Sequence, residues 1–160
     1  MTDLPKTMKA MVLKGHGDLD AYEWHEDWPV PELSQHEVLI KVGACGLNNT
    51  DVNTRTGWYS KAVDQATTGG AYETVDDEDP TWGGRPITFP RIQGADVVGR
   101  VVAVGPDTDP SFIGKRVMVD GWLRDWSDPD NKDKTGYYGS ECDGGYAEYT
   151  KADTRGILVV

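Results

Sequence analysis

The sequence predicts a mainly β domain of the barrel type, with short helices and two long loop insertions. Three observations carry that prediction. Runs of four to eight residues rich in Val and Ile recur along the chain, separated by Gly, Pro and Asp clusters. No sustained apolar stripe with a 3.6-residue period is present, which disfavours a doubly wound α/β domain. The 160 residues include 19 Gly and 9 Pro, a turn-rich composition that suits short strands.

Taken in order, Met8–Lys14 is a short apolar run stopped by Gly15 and Gly17. Glu37–Ala44 alternates in a period of two. The stretch around Asn49–Thr56 alone could make a helix of one or two turns. Val97–Val104 carries valines on both parities, as a strand buried on two faces would. Lys115–Val119, Gly145–Lys151 and Ile157–Val160 complete the expected strands. Between them, residues 60–90 form a long excursion with six acids and two bases, read as a solvated surface insertion. The second long loop, Gly121–Gly139, is rich in turn residues.

Charge and composition exclude several classes. With 16 Lys+Arg against 27 Asp+Glu the formal charge is −11, and no basic stripe is visible, so nucleic acid is not an expected partner. The apolar runs fall far short of the roughly 20 residues a membrane helix needs, and the N-terminus lacks a secretory apolar stretch. Two cysteines cannot build a disulfide framework, and a cytoplasmic location is expected.

Nucleotide and metal signatures are weak. Gly15-His16-Gly17 begins a glycine-rich turn but does not complete one, and Gly114-Lys115-Arg116 lacks the remaining residues of a P-loop. Cys45 and Cys142 lie far apart, and His16, His25 and His36 are scattered without ligand spacing. Cys45, at a strand end, reads as a small buried thiol. Cys142, between Glu141 and Asp143, should have a raised rather than an activated pKa.

Four motifs read together give more. They are Gly46-Leu47-Asn48-Asn49-Thr50-Asp51 with Arg55 and Gly57-Trp58-Tyr59; Gly94-Ala95-Asp96-Val97-Val98-Gly99; Gly114-Lys115-Arg116-Val117; and Gly144-Gly145-Tyr146-Ala147-Glu148-Tyr149. In this order they resemble the N-terminal, GroES-like catalytic domain of the medium-chain dehydrogenase/reductase superfamily, over about residues 8–58 and 88–160. The resemblance implies a partly open β-barrel spanning residues 1–160, with the 60–90 segment as an insertion. It also implies a Rossmann cofactor domain that this chain lacks. Gly94 and Gly99 then mark places where the backbone must turn sharply or approach closely.

Departures from the family pattern point to a subclass. Where zinc-dependent members carry Cys and His ligands, this chain has Asn48 and Ala95, so a family-type zinc is not expected. The Gly-Leu-Asn-x-x-Asp run instead resembles the quinone oxidoreductase branch. That implies hydride transfer from NADPH or NADH to a small carbonyl, enone or quinone, with hydrogen-bond donors stabilising the developing oxyanion. By position, Asn48 and Thr50 are the implied catalytic residues, Thr50 as the proton-relaying hydroxyl and Asn48 as an amide donor. Asn49 is implied near the cofactor pyrophosphate. Helix capping is the competing structural role for Asn48, Asn49 and Asp51; Asp51 is expected to orient its loop or to pair with Arg55. Trp58 and Tyr59 are candidate substrate-pocket residues, and Trp82, Trp122 and Trp126 lie in the long loops.

Two other readings stand beside this one. One is a zinc-type alcohol dehydrogenase with unusual ligands from Cys45, Asp96 or Cys142. The other is a GroES-like interaction module acting alone. Family members run to about twice this length, so the chain is expected to be a folded lobe unable to turn over by itself. The full-length enzyme could form a homo-oligomer.

Overall fold

A computed structural model describes residues 4–60, 75 and 85–160. Most of the 60–90 insertion, with Trp82, lies outside the described residues. The expected β architecture is present. Among the described residues three sheets are built from β1 (Thr7–Leu13), β2 (Tyr22–Pro29), β3 (Glu37–Gly46), β4 (Arg91–Ile92), β5 (Asp96–Val104), β6 (Arg116–Val119), β7 (Trp122–Leu123), β8 (Gly136–Tyr137), β9 (Tyr149–Asp153) and β10 (Ile157–Val159). An α-helix, α1, spans Asn49–Arg55. No helix among the described residues is long and apolar enough to cross a membrane.

The largest sheet runs β10-β6-β5-β3-β9, and a second runs β2-β1-β4; β7 and β8 form a two-stranded ribbon. All named pairings are antiparallel. Residues 146–148 join the two larger sheets. Met11 N–H donates to the Tyr146 carbonyl at 2.8 Å and Glu148 N–H to Lys9 at 3.0 Å, while Val42 N–H donates to Glu148 at 2.9 Å on the other side. One short segment therefore satisfies backbone groups of both β1 and β3, which curls the sheets into a half-barrel.

The core follows the alternation in the sequence. Val38, Ile40, Val97, Val101 and Val117, with Ala95, Tyr138 and Ala152, form one apolar cluster; Met8, Ala10, Val12 and Ile92 form a second. In β5 only one parity is fully buried: Val97 and Val101 are, whereas Val98 and Val102 are half-buried. The second face of a half-barrel strand looks outward, so the expectation of two buried faces holds only in part. Strand β2 carries no sequence signal, because YEWHEDWP is charged and mostly exposed. It is recruited mainly by the free backbone edge of β1, with Trp28 packing against the second apolar cluster. The expected strand at Gly145–Lys151 starts later, at Tyr149. Its first residues instead bond across to residues 92–94 through Gly144 N–H, Gly145 N–H and Tyr146 N–H.

Two glycines expected to permit close approach do so. A Cβ on Gly99 would lie 2.4 Å from the Lys41 carbonyl oxygen. At Gly94, φ is +96°, and a Cβ would fall 2.6 Å from the Tyr146 ring and 2.7 Å from Cys45 Sγ. Gly94→Ala combines a strained φ with overpacking and is expected to cost about 3 kcal/mol of stability. Urea denaturation at neutral pH checks this; an unchanged midpoint would mean the turn is not held as described.

Candidate active site

The Asn48-Asn49-Thr50-Asp51 run folds as the start of α1 because each polar side chain satisfies an N-terminal backbone group. Asn48 is the N-cap, in extended conformation, and its Oδ1 accepts from Thr50 N–H at 3.2 Å. The Asp51 carboxylate reaches back to accept from Asn48 N–H at 3.0 Å, completing a reciprocal capping box. Asn48 Nδ2 donates to Asp96 Oδ2 at 2.9 Å. An amide nitrogen carries two hydrogens, so this bond uses one of them. Asn49 is exposed at the first helical position.

Asp51 ties the helix to the barrel. It is buried, and besides Asn48 N–H it accepts from Gly94 N–H at 3.1 Å and from the Tyr146 hydroxyl at 2.8 Å. The Asp51 carbonyl accepts from Gln93 Nε2 at 3.0 Å, and Gln93 Oε1 accepts in turn from the Tyr22 hydroxyl. Burial holds the Asp51 carboxyl above its ordinary range despite the three donors. Of the two expected structural roles, orientation of the loop is the one seen; pairing with Arg55 is not. Arg55, buried one turn later, donates to the Gly17 carbonyl and lies 3.5 Å from Asp18. The helix places Asp51 and Arg55 on one face, but different loops meet its two ends.

Thr50 and Thr54, four residues apart, share the next face of α1. They line a cavity of about 140 Å³ with Tyr59, Trp122, Tyr137 and Ser140. Thr50 Oγ1 and the Tyr137 hydroxyl are 3.0 Å apart. Burial raises the Tyr137 phenol above its ordinary pKa, so it keeps its proton at neutral pH. Asn53 Nδ2 donates to the Tyr59 hydroxyl at 3.4 Å. Of the sequence-predicted residues, Thr50 and Tyr59 thus come together at one cavity. Trp58 stands beside it, edge-on to Tyr59 at 5.4 Å between ring centroids, and Asn48 and Asn49 sit at the helix start.

Tyr137 and Ser140 were not singled out by the sequence. They close the second long loop, where turn residues dominate; the adjacent aromatic pair Tyr137-Tyr138 before Gly139 was the available signal. Trp122 lies on the small cavity and on a larger groove of about 730 Å³, which Trp126 also lines. There the Arg124 and Arg155 guanidinium groups each lie 5.2 Å from the centre of the Trp126 ring.

Asn48 and Ala95, the two positions read from the sequence as lacking zinc ligands, offer poor metal chemistry. The Ala95 methyl is buried in the core, and Asn48 is engaged by Thr50 and Asp96. Among the described residues no three His, Cys, Asp or Glu side chains group as a metal-ligand set. Both thiols are pushed up to about 12, chiefly by burial. For Cys142 the neighbouring carboxylates that the sequence suggested as the cause contribute less than burial does. Native alkylation by iodoacetamide at pH 8 should therefore run about a thousand-fold slower than in urea, following the loss of thiolate. Equal rates, read by mass spectrometry, would show the thiols to be accessible and ordinary.

The alcohol dehydrogenase GroES-like domain family matches residues 34–160. The chain belongs to that family. This GroES-like domain is 28% identical over 152 residues to an NADPH-dependent alkenal/one oxidoreductase of Arabidopsis thaliana, covering 95% of this chain and 31% of the relative. It is 28% identical over 147 residues to human quinone oxidoreductase, covering 92% of this chain and 32% of the relative. A solved structure of a provisionally named alcohol dehydrogenase from Sinorhizobium meliloti 1021 is 42% identical, with TM-score 0.80, covering all of this chain and 42% of that one. The domain spans about a third of the length of the curated relatives it matches.

Proposed function

We propose that this GroES-like domain is the substrate-binding half of a zinc-independent, NAD(P)H-dependent reductase of small carbonyls, enones or quinones. The observation that carries the reading is the Thr50 hydroxyl beside the Tyr137 phenol on a small cavity walled by Trp122 and Tyr59. Hydroxyl donors on an aromatic-walled cavity suit a flat acceptor whose oxygen gains charge. The buried Ala95 methyl and the absence of a grouped ligand set among the described residues support the zinc-independent reading over one with ligands from Cys45, Asp96 or Cys142. The nicotinamide cofactor would be held mainly by a second domain, with Asn49 at its edge.

When bound, NADPH or NADH supplies the hydride. Addition of that hydride would open the acceptor's C=O bond, or the C=C bond of an enone, and leave negative charge on the acceptor oxygen. Thr50 O–H donates to that oxygen and is reprotonated from water. An enol formed from an enone would then reach the ketone by taking a proton at carbon from water and releasing the one on oxygen. The second N–H of Asn48 would orient the acceptor from the cap of α1, and Trp58 with Tyr59 would border it. A Kd for NADPH, measured by fluorescence on the domain joined to its cofactor-binding half, together with oxidation of NADPH by 2-cyclohexen-1-one, tests the reading. Absence of both would leave the domain as an interaction module, and stoichiometric zinc in the active enzyme would overturn the subclass.

A further inference from the structure

The hydroxyl of a threonine on a helix surface is a rotor, and a rotor is a poor directed donor until something fixes it. At Thr50 the fixing group comes from far along the chain. Tyr137 is 87 residues downstream, on β8, and its hydroxyl stands 3.0 Å from Thr50 Oγ1. Its own backbone is pinned twice. Tyr137 pairs with Trp122 across the β7–β8 ribbon, and its N–H donates to Glu141 Oε2 at 2.6 Å. The phenol is thus held by a second element and presented to the helix.

A phenol is a better donor than an aliphatic hydroxyl. The arrangement that uses both groups best has Tyr137 donating to Thr50 Oγ1, which leaves the Thr50 proton free to point into the cavity. The same cavity has one more polar wall. Ser140, only 2% exposed, lines it, and its hydroxyl has no hydrogen-bond partner among the described residues. A buried hydroxyl left unsatisfied beside a cavity is costly unless an oxygenated guest completes it.

We propose that Tyr137 is a positioning residue: it fixes the Thr50 hydroxyl so that its proton is directed at the oxygen of a carbonyl ligand in the cavity. This rests on the functional reading above and names the residue on which that reading's donor depends.

The test uses the 160-residue chain with ¹³C-carbonyl-labelled 2-cyclohexen-1-one as probe. Infrared spectroscopy reads the carbonyl stretch, and methyl NMR reads the Thr50 χ1 rotamer. In the wild type the bound stretch should shift to lower wavenumber and Thr50 should hold one rotamer. Tyr137→Phe keeps the ring and both backbone anchors. It should average the Thr50 rotamer and lose more than half of the downshift, while probe binding stays within about twofold of the wild type. Thr50→Val should abolish the same part of the downshift, and the double variant should match Thr50→Val alone. A fixed Thr50 rotamer and a retained downshift in Tyr137→Phe would overturn the proposal while leaving the functional reading intact. Additive losses in the double variant would show Tyr137 touching the ligand oxygen directly and would likewise overturn a positioning role. No probe binding by the wild type would defeat the functional reading, and this role with it.

Discussion

Thr50→Val should lower turnover of NADPH-dependent enone or quinone reduction by roughly 10²- to 10⁴-fold in the full enzyme, with KM little changed. Valine keeps the shape of threonine and deletes only the hydroxyl, so the cavity walls from Tyr59, Trp122 and Tyr137 remain. What disappears is the donor that, in the proposed reaction, meets charge developing on the acceptor oxygen. Ground-state binding of a neutral carbonyl depends little on that donor, whereas the charged oxygen depends on it strongly, so the loss belongs in kcat. Thr50→Ser, which retains a hydroxyl, should recover most of the rate. Steady-state kinetics of the two variants decides the matter: full activity in the valine variant would remove Thr50 from the reaction.

Asp51→Ala should destabilise the domain by about 3–4 kcal/mol. Three donors, Asn48 N–H, Gly94 N–H and the Tyr146 hydroxyl, lose their acceptor at a position only 6% exposed. Asp51→Asn should cost less at neutral pH, because an amide oxygen can keep some of these bonds while its NH₂ opposes the rest. The comparison has a defined pH dependence. The folded pKa of Asp51 lies above its ordinary value of 3.8, so the folded state binds this proton more tightly than the unfolded chain does. The stability that follows from protonating Asp51 is complete below pH 3.8 and declines as pH rises through the raised folded value. Asn does not titrate, so the advantage of wild type over Asp51→Asn should be larger at pH 3 than at pH 7. Urea titrations of both proteins measure it. An advantage that instead grew with rising pH would mean that the three donors, rather than burial, dominate this carboxyl.

The strands were legible wherever burial and pattern agreed. Glu37–Ala44 reads as a strand because Val38 and Ile40 must face a core, and α1 reads as a short helix because Asn48 and Asp51 cap it from within the same six residues. β2 was illegible because its stabilisation comes from pairing with β1, and hydrogen bonds to a neighbouring edge leave no mark on hydropathy. The two short strands of the β7–β8 ribbon were hidden for a related reason, since two-residue strands in a turn-rich loop have no period to read.

Local chemistry in the sequence determined the capping run and the glycines at close approaches. These are properties of a residue and its immediate chain neighbours. Only the tertiary structure decided which groups meet. Asp51 is held by Gly94 and Tyr146 rather than by Arg55, and Thr50 faces Tyr137 across 87 residues of chain. Those partners are chosen by how the half-barrel closes through residues 146–148 and by where the β7–β8 ribbon lands, and such long-range closure depends on many weak contacts at once rather than on any one motif.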